Sequence, residues 1–262
     1  MIKIDCKGYA KQILDKVKSV PNKKALLILT AGDDPASASY VRGKIKDCNE
    51  CDIPYIHKKV ENEYALHKEI VKANSDPAIG GIIVQLPLPK GWDEDLAVEM
   101  VSIDKDVDGF RYGSLFKPCT PEGIVHLMKK ELGEDLSGAN VLLIGKGKLV
   151  GKPLINLLLD EGCTLTISHS RTKHMDCLLL THFDIIISAV GRPDFLDMEM
   201  IDANMVIDAG ISKGKDGKIY GDCCNHENGD SWTKYTSVPG GVGLMTRAML
   251  MAHVAGVDAE SI

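Results

Sequence analysis

Short apolar runs alternate with longer amphipathic stretches along most of this chain. A short run of apolar residues is typical of a buried strand, and apolar positions that recur every three or four residues are typical of a helix. In the first part of the chain this pattern predicts strands at residues 25–29, 56–60 and 79–84 and helices at residues 39–50, 64–73 and 93–101. The β-α-β-α order predicts a parallel sheet with helices on both faces.

A second series of the same kind occupies the rest of the chain. It predicts helices at residues 121–131 and 150–159 and strands at residues 140–144, 164–167, 185–189 and 205–208. Two such series predict two α/β domains with the joint near residue 119. The joint carries no Ser/Gly linker, and the chain shows no internal repeat or low-complexity tract.

The composition narrows the class of protein. A chain of 262 residues with 44% hydrophobic and 26% charged residues is typical of a soluble globular protein with a sizeable core. The net charge of -6 gives no general attraction to nucleic acid or to an anionic membrane. No apolar run approaches a membrane span, and the first residues lack a signal-peptide pattern. We therefore expect a cytoplasmic protein that binds neither nucleic acid nor membrane.

The eight cysteines are expected to be reduced thiols in that compartment. Cys48 and Cys51 form a lone CxxC at the predicted end of a helix, and the conceivable partners for a zinc site are Cys223 and Cys224 with His226. A structural zinc site needs four ligands at characteristic spacings. The spacings here favour buried thiols, so no metal is expected.

Tyr40 and Lys44 are the first candidates for chemistry. They lie four residues apart, directly after the sequence Gly-Asp-Asp-Pro-Ala-Ser, in the helix predicted at residues 39–50. This spacing places the phenol and the ammonium on one helix face, where one can orient the other for proton transfer. The same spacing also occurs on ordinary solvated helices, so the pair by itself leaves both interpretations open.

A glycine-rich turn follows the strand predicted at residues 140–144. Residues 145–153 read Gly-Lys-Gly-Lys-Leu-Val-Gly-Lys-Pro and lead into an amphipathic helix. Glycines there let backbone amides approach a pyrophosphate at the helix N-terminus, although a plain tight turn fits the same spacing. The next strand ends at residues 168–173 without an acid for a ribose diol. Its hydroxyl and basic side chains fit a 2′-phosphate, with a solvated loop end as the alternative.

Three further segments fit a ligand site. Gln85 follows a predicted buried strand, at the carboxyl end of the sheet where open α/β sheets bind ligands. Asp106 and Asp108 share a short turn, in which one can be an exposed turn acid and the other a ligand acceptor. Residues 238–243, Val-Pro-Gly-Gly-Val-Gly, form a stiff segment that lets backbone meet a flat ligand.

Together these motifs resemble the bifunctional methylenetetrahydrofolate dehydrogenase/methenyltetrahydrofolate cyclohydrolase family. The matching segments lie in order over nearly the whole chain, at residues 34–37, 40–44, 81–89, 105–109, 118–121, 145, 150–153, 239–243 and 245–246. The resemblance implies an α/β fold of two domains with a folate cleft between them. The expected catalytic, folate-binding domain comprises residues 1–118 and a C-terminal helix at 243–262, and the expected Rossmann-like dinucleotide-binding domain comprises residues 119–242. A homodimer is also implied.

The resemblance further implies two reactions of one-carbon metabolism. NADP oxidises 5,10-methylenetetrahydrofolate to the 5,10-methenyl compound, which is then hydrolysed to 10-formyltetrahydrofolate. By resemblance, Lys44 is the catalytic lysine of the hydrolysis, Tyr40 stacks on or orients the substrate, Gln85 positions Lys44, and Asp108 holds the pterin. The chemistry agrees, because a carboxylate can accept two neighbouring pterin N–H groups. A cationic methenyl group favours a neutral amine that assists water attack.

The other residues carried over from the family line the two binding sites. The folate site adds to these four catalytic residues Leu86, Pro87, Pro239, Gly240 and Gly241. The cofactor site is expected to comprise Cys119, Thr120, Gly145, Lys146, Gly147, Val150, Gly151, Ser170, Arg171, Ala189, Gly191 and Ile211.

The chain departs from the family where the 2′-phosphate is expected. The usual family loop reads Gly-Arg-Ser, whereas this chain has Gly145, Lys146 and Gly147, so a bidentate guanidinium and a hydroxyl are lost. Ser170 and Arg171 still stand at the strand end, and no acid is present there to repel a phosphate. We therefore expect NADP to be preferred over NAD, by a smaller margin than a Gly-Arg-Ser loop would give.

Three other classes of protein explain less of the sequence. A short-chain dehydrogenase also uses Tyr-xxx-Lys, but its glycine turn comes early in the chain and its pair comes late. A non-catalytic folate or dinucleotide sensor is expected to lose Lys44, which is present. An amino-acid dehydrogenase leaves Asp108 and the Pro-Gly-Gly segment unexplained.

Overall fold

A computed structural model of the protein describes residues 1–214, 216–224 and 232–262. The chain divides into two compact units. Unit one consists of Met1–Tyr9 and Thr120–Thr246, and unit two consists of Ala10–Cys119 and Arg247–Ile262. The domain boundaries expected from the sequence stay a prediction.

Within the described residues, thirteen strands and eight α-helices follow one another along the chain. They are β1 (Ile2–Lys3), α1 (Cys6–Ser19), β2 (Ala25–Ala31), α2 (Pro35–Glu50), β3 (Tyr55–Val60), α3 (Glu63–Ser75), β4 (Ile79–Val84), α4 (Glu94–Glu99), α5 (Cys119–Leu132), β5 (Asn140–Ile144), α6 (Gly151–Asp160), β6 (Thr164–Ser168), α7 (Met175–Leu179), β7 (Phe183–Ser188), β8 (Leu196–Asp197), β9 (Ala203–Asp208), β10 (Ser212–Lys213), β11 (Ile219–Tyr220), β12 (Cys223–Cys224), β13 (Lys234–Tyr235) and α8 (Val242–Ala255). Short 3₁₀ helices occur at Met198–Met200 and Ala259–Ser261.

Unit two is built on a parallel sheet of three strands in the order β3-β2-β4. Leu27 on the central strand pairs with Ile56 on one side and Ile82 on the other. The middle of β2 is buried throughout, as expected for a central strand of a parallel sheet that is covered on both faces. Leu66 and Ile70 of α3 pack into the same apolar core. Because β2 and β4 are parallel, both end at the carboxyl end of the sheet. The loops that follow them begin there.

Helix α2 begins four residues earlier than the sequence pattern predicts. Asp34 is its N-cap, and one carboxylate oxygen of Asp34 accepts hydrogen bonds from the backbone N–H of Ser37 at 2.7 Å and from its hydroxyl at 2.8 Å. Such a cap satisfies amides that the first turn of a helix leaves unpaired. The sequence pattern placed the start of the helix too far along the chain, because the capping residues are polar and carry no apolar periodicity.

Lys105 anchors the turn that leads to Asp108. The Lys105 ammonium is buried and donates hydrogen bonds to the carbonyls of Ala73 at 2.8 Å, Asn74 at 2.9 Å and Asp76 at 2.7 Å. These carbonyls belong to the C-terminal end of α3, where the last carbonyls of a helix have no partner within it. The carbonyl of Lys105 also accepts a hydrogen bond from Ile82 of β4 at 2.8 Å. The turn is therefore fixed both to α3 and to the sheet.

Unit one contains a parallel sheet of six strands in the order β1-β13-β9-β7-β5-β6. Its apolar core includes Leu142, Ile186 and Val206, one from each of the three central strands β5, β7 and β9. Strands β1 and β13 were not predicted, because each has two residues and neither shows a periodic pattern. Backbone pairing between distant parts of the chain forms them, since β1 pairs with β13 and β13 pairs with β9.

Several expectations from the sequence can be compared with this structure. The α/β class with parallel sheets is confirmed, and the strands predicted at residues 79–84 and 140–144 have those bounds. All eight cysteines are free thiols. His226, the possible zinc ligand, lies outside the described residues, and within the described ranges no group of three His, Cys, Asp or Glu residues is arranged to hold a metal ion. Every described helix is too short or too polar to span a bilayer.

We predict that Lys105→Met lowers the free energy of unfolding by about 3 kcal/mol, because three carbonyls lose a charged donor in a buried place. Urea denaturation measures this change. The control is Lys68→Met, which removes an exposed lysine from α3 and should alter the unfolding free energy by less than about 0.5 kcal/mol. Equal stability of the two variants would show that Lys105 does not anchor the turn.

Candidate functional site

Tyr40 and Lys44 lie one turn apart in α2, as the sequence predicts. The side chain of Lys44 is 9% exposed, and its Nζ lies 3.7 Å from Oδ2 of Asp108, whose side chain is 14% exposed. A lysine is rarely buried unless it is paired with an opposite charge. The structure therefore brings the predicted lysine and the predicted pterin carboxylate together in a largely desolvated pair.

Tyr40 is half-buried on the same helix. Burial raises the pKa of its phenol, and the nearby guanidinium of Arg247 opposes that effect. A phenol in this environment stays protonated near neutral pH and can donate a hydrogen bond. Its surroundings suit a ring that orients a ligand rather than one that ionises.

Asp106 serves the turn rather than a ligand. Its carboxylate is buried, and one oxygen accepts a hydrogen bond from the backbone N–H of Arg111 at 2.8 Å. Its carbonyl accepts from Gly109 at 3.0 Å and from the Ser114 hydroxyl at 3.2 Å. Burial raises the pKa of Asp106. The sequence left open that one of the two acids is an exposed turn acid. Neither is exposed, because Asp106 and Asp108 are both largely withdrawn from solvent.

Gln85 begins the loop that follows β4. Its backbone N–H donates to the carbonyl of Leu29 at 2.9 Å, which places Gln85 beside the end of β2. Its side-chain Nε2 donates to the carbonyl of Leu86 at 2.9 Å, while Oε1 is buried without a hydrogen-bond partner in the part of the chain that the structure describes. A buried acceptor without a partner is a costly arrangement unless a ligand or water satisfies it. The positioning of Lys44 by Gln85 stays a prediction.

The glycine-rich turn between β5 and α6 is shaped by two close backbone approaches. A Cβ added to Gly145, which has φ +105°, would lie 2.4 Å from the carbonyl oxygen of Ala189. A Cβ added to Gly151 would lie 2.3 Å from the carbonyl oxygen of Gly145. Neither position has room for a side chain. Helix α6 then begins after Val150 without a side-chain cap. The backbone N–H of Lys152 donates to the carbonyl of Gly147 at 2.9 Å, and Pro153 has no N–H.

The residues expected at the 2′-phosphate are exposed. Ser170 and Arg171 follow β6, and Lys146 lies in the glycine-rich turn. Gly145 donates a hydrogen bond from its N–H to the carbonyl of Ser168 at 2.9 Å, so the turn and the end of β6 are adjacent. Lys146 and Arg171 therefore belong to two adjacent segments, the turn before α6 and the loop after β6.

Other predicted cofactor residues lie after strand β7, before strand β10 and at the start of helix α5. Ala189 and Gly191 directly follow β7, and Ser212 donates its hydroxyl to the Gly191 carbonyl at 2.7 Å next to Ile211. The hydroxyls of Thr120 and Thr246 are 3.0 Å apart. Cys119 is a buried thiol that donates to the carbonyl of Val107 at 3.2 Å, in unit two. Binding of a cofactor by each of these residues stays a prediction.

The predicted folate residues belong to both units. Leu86 and Pro87 lie in unit two, joined by a cis peptide bond. Pro239, Gly240 and Gly241 lie in unit one, directly before α8. Their contact with a folate stays a prediction.

Family models cover almost the whole chain. Residues 4–108 match the catalytic domain of tetrahydrofolate dehydrogenase/cyclohydrolase. Residues 118–261 match the NAD(P)-binding domain of tetrahydrofolate dehydrogenase/cyclohydrolase. The chain belongs to the tetrahydrofolate dehydrogenase/cyclohydrolase family.

Individual relatives of this family agree. The bifunctional protein FolD of Campylobacter hominis is 40% identical over 265 residues, which cover 96% of this chain and 91% of the relative. The crystal structure of FolD from Campylobacter jejuni has a TM-score of 0.91 at 33% identity and covers 100% of this chain and 99% of that chain. The methylenetetrahydrofolate dehydrogenase-cyclohydrolase of Trypanosoma brucei, solved with NADP and an inhibitor, has a TM-score of 0.88 at 27% identity and covers 97% and 95%. The family predicted from the motifs is confirmed.

The glycine-rich turn of this tetrahydrofolate dehydrogenase/cyclohydrolase fits a dinucleotide. The absence of side chains at Gly145 and Gly151 lets the turn pack closely against the start of α6, whose positive end attracts a pyrophosphate. Lys146 lies in this turn, and Arg171 lies in the adjacent loop after β6. Gly147 differs from the other two glycines, since a Cβ there would meet no atom within 4 Å.

Two buried acids near the strand ends were missed by the sequence analysis. Asp222 accepts hydrogen bonds from the Ser188 hydroxyl and the Val190 N–H, both at 2.7 Å, and from the Arg192 N–H at 2.8 Å. The Asp208 carboxylate accepts from the N–H of Asp222 at 3.0 Å, and burial raises the pKa of Asp208. Asp222 thus holds the loop after β7. No periodic signal marks such an acid, although its setting beside Gly221 and Cys223 is apolar enough to suggest burial.

A cavity of about 280 Å³ lies elsewhere in unit two. It is lined at the beginnings of strands β2 and β4 by Lys24, Ile79 and Gly80, together with His253. Parallel α/β sheets bind ligands at the opposite, carboxyl ends of their strands. None of the predicted catalytic residues lines this cavity.

We predict that Gly151→Ala weakens NADP binding by about 10-fold or more, because the new methyl group displaces the first turn of α6 from the Gly145 carbonyl. Isothermal titration of NADP measures this, with circular dichroism to verify folding. Leu159→Ala removes an exposed side chain from the same helix and serves as the control. Wild-type affinity in Gly151→Ala would refute the role of this contact.

Proposed function

We propose that this chain oxidises 5,10-methylenetetrahydrofolate to the 5,10-methenyl compound with NADP and hydrolyses that product to 10-formyltetrahydrofolate. Membership of the family over residues 4–108 and 118–261 supports both activities. The buried Lys44–Asp108 pair is the observation that carries the proposed catalytic centre. It places a proton-transfer group beside a carboxylate that can accept hydrogen bonds from the pterin.

The folate is held by Asp108 and oriented by Tyr40. A pterin presents an amino group and a ring N–H side by side, and one carboxylate accepts both as a charge-assisted pair. The phenol ring offers a flat apolar face and a polar tip. Leu86, Pro87 and the Pro239–Gly241 backbone complete the proposed contacts of the flat ring system.

The dehydrogenase step depends on orientation. NADP, when bound, supplies the acceptor for the hydride, and the nitrogen next to the methylene carbon supplies the electron push. No protein base is required, so the chain contributes a fixed approach of the two reactants and the exclusion of water. Loss of a proton-transfer residue should therefore affect this step less than the hydrolysis.

The hydrolysis depends on Lys44. Its amine lies beside Asp108, and a pterin that occupies Asp108 competes for the carboxylate that balances the ammonium. The methenyl group adds a positive charge nearby. Both changes favour the neutral amine, which takes a proton from the attacking water. The unpaired Oε1 of Gln85 is an acceptor for this amine or for the water, which is its proposed positioning role.

NADP is the cofactor. The first turn of α6 holds the pyrophosphate, and Ser170, Arg171 and Lys146 contact the 2′-phosphate. Arg171 can bind this phosphate as a fork, whereas Lys146 acts as a point charge. The remaining proposed cofactor contacts are Cys119, Thr120, Gly147, Val150, Ala189, Gly191 and Ile211.

The family also supports a proposal for the location and assembly of the enzyme. We propose a cytoplasmic homodimer in which residues 1–118 and 243–262 form the folate-binding domain and residues 119–242 form the nucleotide-binding domain. Size-exclusion chromatography with light scattering measures the mass of the particle, and a monomer would refute the homodimer.

We predict that Lys44→Met loses about 10² to 10⁴ in the rate of methenyl hydrolysis, which is the usual contribution of a general acid or base. Hydride transfer should persist, because it needs no protein base. Absorbance of the methenyl compound and of NADPH follows the two steps in one cuvette. The control is Lys46→Met, an exposed lysine of the same helix. Unchanged hydrolysis in Lys44→Met would exclude Lys44 as the catalytic amine.

We predict that Arg171→Ala reduces the preference for NADP over NAD by about 10-fold or more, since one charged contact contributes about 1.5 to 3 kcal/mol. The measurement is kcat/KM for each cofactor. Lys173→Ala removes another exposed positive charge from the same loop and is the control. A wild-type preference for NAD, or an unchanged ratio in Arg171→Ala, contradicts this assignment of the 2′-phosphate pocket.

A further inference from the structure

A second ion pair lies on the helix that carries Tyr40 and Lys44. Nε of Arg247 in α8 is 2.7 Å from Oδ2 of Asp47 in α2. The Asp47 side chain is 3% exposed and that of Arg247 is 24% exposed. The N–H of Nε does not point along this line, so the contact is an ion pair rather than a linear hydrogen bond. Burial raises the pKa of Asp47, and the Arg247 guanidinium opposes that shift.

Gly43 makes room for this pair. A Cβ at Gly43 would lie 2.2 Å from Nη1 of Arg247 and 3.1 Å from its Cζ. The guanidinium therefore lies against the backbone of α2, where any side chain would displace it. A glycine inside a helix destabilises that helix relative to alanine, so its presence here is explained by the contact.

The pair occupies the catalytic face of α2. At about 100° per residue, Tyr40, Gly43, Lys44 and Asp47 all fall within about 100° of one another around the helix axis. A second contact, between the sulfur atoms of Cys48 and Met251 at 3.8 Å, holds the next turn of α8 against α2. Burial raises the pKa of the Tyr40 phenol on this face, and the positive charge of Arg247 opposes that shift.

Asp47 is a competing partner for the catalytic amine. It follows Lys44 by three residues, a spacing at which opposite charges on a helix attract each other. A carboxylate free to pair with Lys44 would draw the ammonium along α2 and away from Asp108. In the structure, Arg247 is the ion-pair partner of Asp47 and Asp108 is the ion-pair partner of Lys44.

We propose that Arg247 keeps Asp47 from capturing Lys44, and so leaves the amine at Asp108 for hydrolysis of the methenyl compound. Arg247 and Asp47 are positioning residues in this account, since they act through Lys44. The inference rests on the proposed function, because it takes Lys44 as the catalytic amine. A simple tether between helices does not require this pair, since apolar side chains of similar volume replace buried ion pairs with little or no loss of stability.

The test compares hydrolysis with hydride transfer in the same protein, because unfolding lowers both and their ratio is insensitive to it. Arg247→Ala should lower the ratio of hydrolysis to dehydrogenation by about 10-fold or more, as expected when a reacting group moves by about 1 Å. Removing the competitor as well, in Asp47→Ala with Arg247→Ala, should return the ratio to within about 3-fold of wild type. Arg247→Lys keeps a cation for Asp47 and should retain most of the ratio.

Gly43→Ala perturbs the Asp47–Arg247 ion pair without removing any charge from the chain. Its methyl group displaces the guanidinium, and we expect the ratio to fall in the same direction as for Arg247→Ala. Gly8→Ala in helix α1 is the matched control. Its Cβ would lie 2.3 Å from a carboxylate oxygen of Asp5, which directly precedes that helix. It should leave the ratio unchanged.

The outcomes separate this inference from the proposed function. Recovery of the ratio in the double variant supports capture of Lys44 by a freed Asp47. An unchanged ratio in Arg247→Ala, or a double variant no better than Arg247→Ala, overturns the inference and leaves the pair as a tether. Lys44→Met, assayed alongside, tests the proposed function. Normal hydrolysis in that variant would show that Lys44 is not the catalytic amine.

Discussion

The buried Lys44–Asp108 ion pair is the interaction on which the candidate site depends. Two charges at 3.7 Å and largely out of water are tolerated because each compensates the other. The approach of Lys44 to Asp108 requires α2 to begin at the carboxyl end of the sheet and the turn before Asp108 to be fixed. The cap at Asp34 and the three carbonyls that bind Lys105 meet these two conditions. A pair held in this way is ready for a ligand that competes for one of its members.

Three glycines with close contacts show how backbone geometry serves chemistry in both units. In unit one, Gly145 and Gly151 allow the turn before α6 to fold back on itself at the N-terminus of that helix, where the helix dipole favours a phosphate. In unit two, Gly43 allows a guanidinium to lie on the surface of a helix. At each position an added methyl group would displace the neighbouring atoms. Substitutions at these positions therefore report on function more directly than substitutions of the apolar core.

Apolar patterning was sufficient to predict the longer parallel strands and most helices, because those elements bury one face or both. Strands β1 and β13 were not predictable in this way. Two residues show no period, and their pairing joins segments far apart in the chain. The start of α2 was misplaced for a related reason, since a cap depends on a hydrogen bond from Asp34 and not on apolar spacing. Asp222 went unnoticed because burial of an acid depends on three donors that only folding collects.

The sequence by itself determined the class of fold, the family and the residue types of the site, since ordered motifs such as residues 40–44 and 105–109 encode them locally. Only the tertiary structure decided which charges pair. Lys44 has acids at several spacings along the chain, and its partner is Asp108, while Asp47 on its own helix pairs with Arg247. Ion pairing depends on distance and burial in space, and neither quantity can be read from separation along a chain.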